Sequence, residues 1–394
     1  MKITVPTIDF GTSKIVTMVA QSNGERCDIV GSGAVPYSGY LQDGWNNPDE
    51  IRDVIRTAID QAQKTGNCRI HELNVGVPGM FTRVIVKEVH VSLTGPDPHV
   101  TAQDVRACCK LAEESGGDRI IHSAPAWFRV DDGKKTLSPV GIKGRELSAM
   151  IALVTADKYF IDDITYRLRD MDIEPREFYS TVAGEATYAL SQDERDKTAM
   201  LIDIGYLCTD VMVMEGDALI FHKCLDIGGG HISADIAEQL NIPFPFVEEK
   251  IKQTYSFNST NQDETYVIPA TEDEPARTVR RDEVTPIIEA KVEEIAEAIN
   301  KALEEGGVKL GKWSNVYLTG GGLILNKGGK DFLAGKLHRI IREAQRTNNK
   351  MTSHVFSSAV GLTILVVTTQ EEQKAPEGGA KGLFSRAFRW LMGY

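Results

Sequence analysis

The sequence predicts an α/β protein made of two related halves, with a small α+β unit inserted in the first. Two observations carry that reading. A strand, a glycine turn and a second strand occur twice: residues 2–9 and 14–21 flank Phe10, Gly11, Thr12 and Ser13, and residues 199–204 and 210–214 flank a turn over 205–209. Between the two hairpins, helical periodicity at 101–115 and 156–171 is mixed with strand-like runs at 84–91 and 147–155, the signature of the insertion.

The later elements follow in order. Residues 231–240 and 245–255 read as helices, and 258–281, rich in Thr, Asp, Glu and Pro, as an irregular arm or edge hairpin. Residues 284–306 form a long helix by the spacing of Ile287, Ile288, Val292, Ile295, Ile299 and Leu303, with Gly306 and Gly307 as its stop. A short buried strand at 316–319 runs into Gly320, Gly321 and Gly322. The stretch QEEQKAPEGGAK at 370–381 is too polar to build a core and reads as a flexible linker to a distinct segment at 382–394.

A chain of 394 residues buries a large core easily. Its 56 Asp plus Glu against 44 Lys plus Arg leave a net charge of -12, which argues against nucleic acid as a partner. The six cysteines, Cys27, Cys68, Cys108, Cys109, Cys208 and Cys224, have neither CxxC spacing nor a His-rich tract, so their spacing indicates no zinc site and no disulfide framework, and they read as reduced thiols of a cytoplasmic protein. The N-terminus lacks an apolar signal region and no apolar run reaches a membrane-spanning length, so the expectation is a protein neither exported by a signal peptide nor transmembrane.

The chemistry is concentrated in the turns. Successive backbone N–H groups with Thr12, Ser13 and Lys14 beside them make a cradle for phosphate oxygens, and Asp9 ends the strand that enters it. Asp203 precedes Gly205 as Asp9 precedes Gly11, so two such turns would clamp a phosphate chain, and the two aspartates would hold a hydrated Mg2+. Gly320, Gly321 and Gly322 would let a flat base or ribose approach the backbone. Residues 306–312 have Walker-like spacing, but Trp313 fills the hydroxyl position and a helix precedes where a P-loop needs a strand.

IDFGTSK, IDIGYLCTDV and VYLTGGG, in this order, resemble the phosphate 1, phosphate 2 and adenosine motifs of the actin and sugar-kinase ATPase superfamily. Within it the chain most resembles the FtsA family of bacterial cell division, over nearly its whole length. TAQDVRACCKLA and HSAPAWFRVDDGKKTLSPVGIKGREL are similar to that family's small subdomain, and DIGGGHISADIAEQL, EEKIKQTYS and IIEAKVEEI to other segments of it. The resemblance implies an actin-like ATPase fold of two lobes, each a mixed sheet with flanking helices. Its first lobe would be 1–83, 166–198 and 346–369, with an inserted FtsA-type subdomain at 84–165; the second would be 199–237 and 301–345, with an outer subdomain at 238–300.

Carried over by position, the resemblance implies ATP and Mg2+ as ligands. Asp9 would serve the metal; Gly11, Thr12, Ser13 and Lys14 the phosphates; Asp203 the chemistry; Gly205 and Thr209 the second clamp; Gly320, Gly321 and Gly322 the adenosine; and Lys291 with Glu294 the base or ribose. Two departures stand out. Tyr206, Leu207, Cys208 and Thr209 replace the usual Gly-Gly-Thr-Thr after the second Asp-x-Gly, which argues for weaker nucleotide binding. Tyr179 occupies the position, ahead of Glu185, where a water-orienting glutamate is common, and a phenol is a poor base near neutral pH. At most a weak ATPase is expected.

On a helical wheel at about 100° per residue, Leu383, Phe384, Ala387, Phe388, Trp390, Leu391 and Tyr394 share one arc, with Lys381, Ser385, Arg386 and Arg389 opposite. Such a helix, too short to span a bilayer, lies in the interface of an anionic membrane. One helix binds reversibly, and a filament presenting many supplies the rest. Together with the resemblance this implies an ATP-binding, self-assembling tether that holds FtsZ at the cytoplasmic face of the cell membrane at the division septum, with later division proteins as further partners and residues 243–252 as a candidate FtsZ surface. The alternatives are a membrane adaptor of the same fold that has lost nucleotide, a small-molecule kinase, and an assembly adaptor for pili or cell shape.

Overall fold

The computed structural model describes residues 3–24, 26–117, 119–261, 263–270, 275–311, 314–344 and 353–374. They divide into two compact units: the described residues up to Met200, Met212–His222 and those from 353 on form the first, and Leu201–Val211 with Lys223–Ala344 the second.

The first unit is built on a five-stranded mixed sheet in the order Glu174–Ser180, Glu72–Val77, Ile3–Phe10, Lys14–Ser22, Cys27–Pro36. The Ile3–Phe10 and Lys14–Ser22 strands pair antiparallel as the hairpin the sequence predicts, and Glu72–Val77 pairs parallel to both its neighbours. Strand alternation sorts the side chains between two cores. Ile8, Phe10, Ile15 and Val19 pack with the Ile51–Gly66 helix, whose buried Ile51, Val54, Ile55, Ala58, Ile59 and Ala62 form a stripe at helical spacing. Val5, Val16, Met18 and Ala20 pack on the opposite face against Leu362, Ile364 and Val366 of the Ser357–Lys374 helix. That helix crosses Thr181–Ala189 where both carry glycine: a Cβ on Gly361 would come within 2.5 Å of the Glu185 Cα. Nearby, Arg195 is 1% exposed, donates to the carbonyls of Leu190 and Gly216, and pairs with Asp217 at 3.0 Å.

The insertion is a three-stranded antiparallel sheet in the order Thr82–Ser92, Glu146–Ala156, Ile120–Val130, covered by the Ala102–Glu114 helix. A capping box starts that helix: the Thr101 hydroxyl accepts from the Asp104 N–H, and the Asp104 carboxylate from the Thr101 N–H.

A second five-stranded sheet runs Ala218–Leu225, Thr209–Glu215, Ala199–Ile204, Asn315–Thr319, Ile341–Glu343, its last pair parallel. In the second unit the helices Gly229–Leu240, Arg281–Glu305 and Gly329–Leu337 accompany it. The long helix begins at Arg281, earlier than its apolar stripe, because its first turn is polar and Val284 is the first buried aliphatic residue.

Of the two readings of the polar arm the hairpin holds: Thr265–Ile268 pairs antiparallel with Arg277–Arg280. Two expectations change. The helix expected at 245–255 is a short Phe244–Phe246 turn followed by a wider π-type turn, Val247–Lys252. The first five residues of the linker expected at 370–381 are instead the end of the Ser357–Lys374 helix, with Gln370 4% exposed and donating to Asn74 at 3.3 Å, and Ser22 donating to Glu371. Polarity alone concealed that these amides and carboxylates have partners. The rest of the linker and the amphipathic segment, including Leu383, Phe384, Arg386, Phe388, Arg389, Trp390 and Leu391, lie outside the described residues. Among the described residues no helix is long and apolar enough to cross a membrane.

Candidate functional site

The first turn is closed by the Gly11 N–H donating to the Lys14 carbonyl at 3.1 Å. Other donors of the same unit take the remaining carbonyls around it. Tyr40 donates its hydroxyl to Phe10 at 3.0 Å, Tyr37 its hydroxyl to Gly11 at 2.8 Å, and the Tyr37 N–H goes to Ser13 at 3.2 Å. With the carbonyls of residues 10, 11, 13 and 14 engaged, the negative ends of these peptide dipoles are offset by donors. Thr12 is buried, Ser13 and Lys14 are half-buried, and the Lys14 ammonium lies 5.4 Å from the Phe356 ring centroid.

Asp9 stands on the same strand face as Val5 and Thr7, the face covered by the Ser357–Lys374 helix. Ser358 donates to its carboxylate at 3.2 Å, and two positions back Thr7 shares a hydrogen bond with Thr363 at 2.7 Å. Burial pushes the Asp9 carboxyl up to about 6, against the opposing effects of Ser358 and Lys14. It is a carboxylate held in a place that favours its neutral form.

The second turn repeats this arrangement with different donors. The Gly205 N–H donates to the Cys208 carbonyl at 2.9 Å, which makes Tyr206, Leu207 and Cys208 the counterparts of Thr12, Ser13 and Lys14. Its carbonyls are taken by glycine N–H groups: Gly322 to Ile204 at 2.7 Å, Gly229 to Gly205 at 2.9 Å and Gly230 to Tyr206 at 2.7 Å. Gly320, at φ +87°, would place a Cβ 2.0 Å from the Asp203 carboxylate, and one on Gly322 would lie 2.4 Å from the Gly205 carbonyl. The close approach these glycines permit is therefore used by the protein's own turn; Gly321 between them is half-buried.

The structure thus gathers Asp9, Gly11, Thr12, Ser13 and Lys14 at one turn, and Asp203, Gly205, Gly320, Gly321 and Gly322 at another. Thr209 is fully buried and donates its hydroxyl to Ile227 at 2.7 Å, an internal role. Lys291 bridges Asp235 at 2.9 Å and Glu294 at 2.6 Å, so both of these candidates belong to one ion-pair cluster on the long helix. Tyr179 is 4% exposed, sits in the core beside Leu362 and Val366, and donates to Glu177; burial pushes its phenol above the usual range. Glu185 is buried in the Thr181–Ala189 helix.

Sequence reasoning missed the donors that support the turns. Tyr37 and Tyr40 lie beyond the next strand, and only their being tyrosines in a glycine-punctuated stretch hinted at a role. Gly228, Gly229 and Gly230 were visible as a second triple glycine. Lys252 is buried, pairs with Glu248 at 3.2 Å, and holds its ammonium 5.7 Å from the Tyr206 ring centroid. Burial lowers the Lys252 pKa against the opposing pull of Glu248.

Residues 200–361 match the family described as Cell division protein FtsA, and residues 79–155 the SHS2 domain inserted in FTSA. A Cell division protein FtsA of Pseudomonas aeruginosa is 24% identical over 98% of this chain and 97% of its own length. Among solved structures, a chain of the PilM-PilN type IV pilus biogenesis complex superposes with a TM-score of 0.61 at 16% identity, covering 93% of this chain and 99% of that one. MreB5 of Spiroplasma citri bound to ADP does so with a TM-score of 0.55 at 11% identity, over 95% and 99%. These likenesses give the fold as actin-like. With both FtsA-specific matches and a relative alignable from end to end, the chain belongs to the FtsA family of bacterial cell-division proteins and has a role in division.

Proposed function

We propose that this chain binds Mg-ATP, assembles into filaments, and tethers FtsZ to the cytoplasmic face of the cell membrane through residues 382–394. The observation that carries the nucleotide part is the shared construction of the two turns: each follows a strand-end aspartate, each closes through a glycine N–H, and each has four flanking carbonyls engaged by donors. A loop whose acceptors are already used suits an anion. That MreB5, with the same fold, is known bound to ADP supports the same reading.

The residues fit the implied ligands unequally. Asp9, a buried carboxyl held up at about 6, is stabilised in its charged form by a cation, and Mg2+ needs few carboxylates because it keeps several waters. Thr12, Ser13 and Lys14 offer hydroxyls and a positive charge to phosphate, whereas Tyr206, Leu207 and Cys208 offer bulk. Tyr179, a core phenol pushed above its usual pKa, is no general base, so nucleotide acts mainly as a structural ligand and turnover is slow. The Tyr206–Lys252 contact at the second turn favours one other reading, an adaptor of the same fold that works without nucleotide.

Co-sedimentation with anionic liposomes tests the proposal, comparing the full chain with one ending at Lys381, each with and without Mg-ATP. Binding that needs the tail and strengthens with Mg-ATP is the expected result. Tail-dependent binding indifferent to ATP would establish the nucleotide-free adaptor, and binding indifferent to the tail would remove the tether. FtsZ recruited to the same liposomes only with the full chain is the partner readout.

A further inference from the structure

We propose that Cys208, Asp210 and Cys224 form a binding site for a thiophilic divalent cation of the Zn2+ class. The two sulfurs and a carboxylate oxygen all lie within 4.8 Å of one another. Donors sharing one tetrahedral Zn2+ stand about 3.7 Å apart, so the set contracts by at most about 1 Å on binding, within the reach of side-chain rotation. The folding pattern explains the meeting of residues separated in sequence. Cys208 ends the second turn, Asp210 lies two positions on and so on the same strand face, and Cys224 comes from Ala218–Leu225, the neighbouring strand of the sheet.

The donor set selects the ion. Two thiolates and one carboxylate suit Zn2+ and its analogues Co2+ and Cd2+, and disfavour Mg2+, which takes oxygen ligands. Three protein ligands leave a fourth position for water. Cys208 is buried while Asp210 and Cys224 are half-buried, so a cation has access. As the two metal–thiolate bonds form, both thiol protons leave to solvent. The bound ion would join the strands immediately behind the Gly205–Cys208 turn. The inference does not depend on the nucleotide reading.

The test uses the full chain, stripped with a chelator, held under a non-thiol reductant and titrated with Co2+ alone. The expected result is one equivalent bound with thiolate-to-cobalt charge-transfer absorption that Zn2+ abolishes. Cys208→Ser and Cys224→Ser each diminish that absorption, and Asp210→Asn weakens binding by at least ~10-fold, since even residues that only support metal ligands cost 10–100-fold. Cys68→Ser leaves the titration unchanged. A folded wild-type chain that develops no thiolate absorption overturns the proposal without recourse to any variant. So does absorption that is undiminished in Cys224→Ser, or a Cys208–Cys224 disulfide that survives the reductant.

Discussion

Asp9→Asn should stabilise the ligand-free protein at pH 7.5. In the folded chain the carboxyl is pushed from its ordinary 3.8 up to about 6, so at neutral pH folding forces a charge into a place that disfavours it. At about 1.36 kcal/mol per pH unit the penalty approaches ~3 kcal/mol, an upper bound. The folded state holds this proton more tightly than the unfolded chain, so stability rises as pH falls from about 6 towards about 4 and is lost again as pH rises through 6. Asparagine keeps an acceptor for Ser358 and carries no charge, so the variant loses that pH dependence. At about 2–4 °C per kcal/mol for a unit of this size, the midpoint should rise by several degrees at pH 7.5 and by about half as much at pH 5, which lies midway between the two carboxyl pKa values. The assay is thermal unfolding at both pH values, with and without Mg-ATP; the variant should also lose the Mg-ATP-dependent rise expected of wild type. A variant less stable than wild type at pH 7.5, or one with the wild-type pH profile, refutes the argument. The stabilisation at the expense of ligand follows a general pattern of functional sites.

Two further outcomes follow from close packing. Gly320→Ala puts a methyl 2.0 Å from the Asp203 carboxylate at φ +87°, and should cost at least ~2 kcal/mol in a denaturant titration; an unchanged midpoint would contradict the packing described for the second turn. Arg195→Met removes a cation that donates to several carbonyls and leaves the Asp217 carboxylate behind, for a loss of about 3–5 kcal/mol by the same measurement. Arg195→Lys should not restore it, because three donors at one point cannot replace the guanidinium fork.

The elements legible in the sequence were those whose residues repeat a simple pattern. The two hairpins announced themselves through apolar runs around Asp-x-Gly, and the long helix through an aliphatic stripe from Ile287 to Leu303. Strands such as Cys27–Pro36, interrupted by Gly31 and Gly33, and Glu174–Ser180, with its alternating charges, have no such run and owe their place to neighbours. Of the candidate site, the strand-end aspartates and glycine turns could be read directly. The supporting donors could not, because Tyr37, Tyr40 and Ser358 reach the first turn only through tertiary structure. The same holds for Cys224, brought to Cys208 by strand pairing across a gap in sequence that matches no metal-ligand spacing.

Ser358, which donates to Asp9, stands in the first turn of the Ser357–Lys374 helix. Sixteen residues further on, at about 1.5 Å per residue, the helix ends about 24 Å away. The screening length at physiological ionic strength is about 8 Å, so a change of charge on the Asp9 carboxyl has faded to a small fraction of itself over that distance. The far end of the helix therefore does not sense the state of this carboxyl as a field. Any signal carried along this route has to travel as displacement, with the helix acting as a rigid rod levered at its first turn.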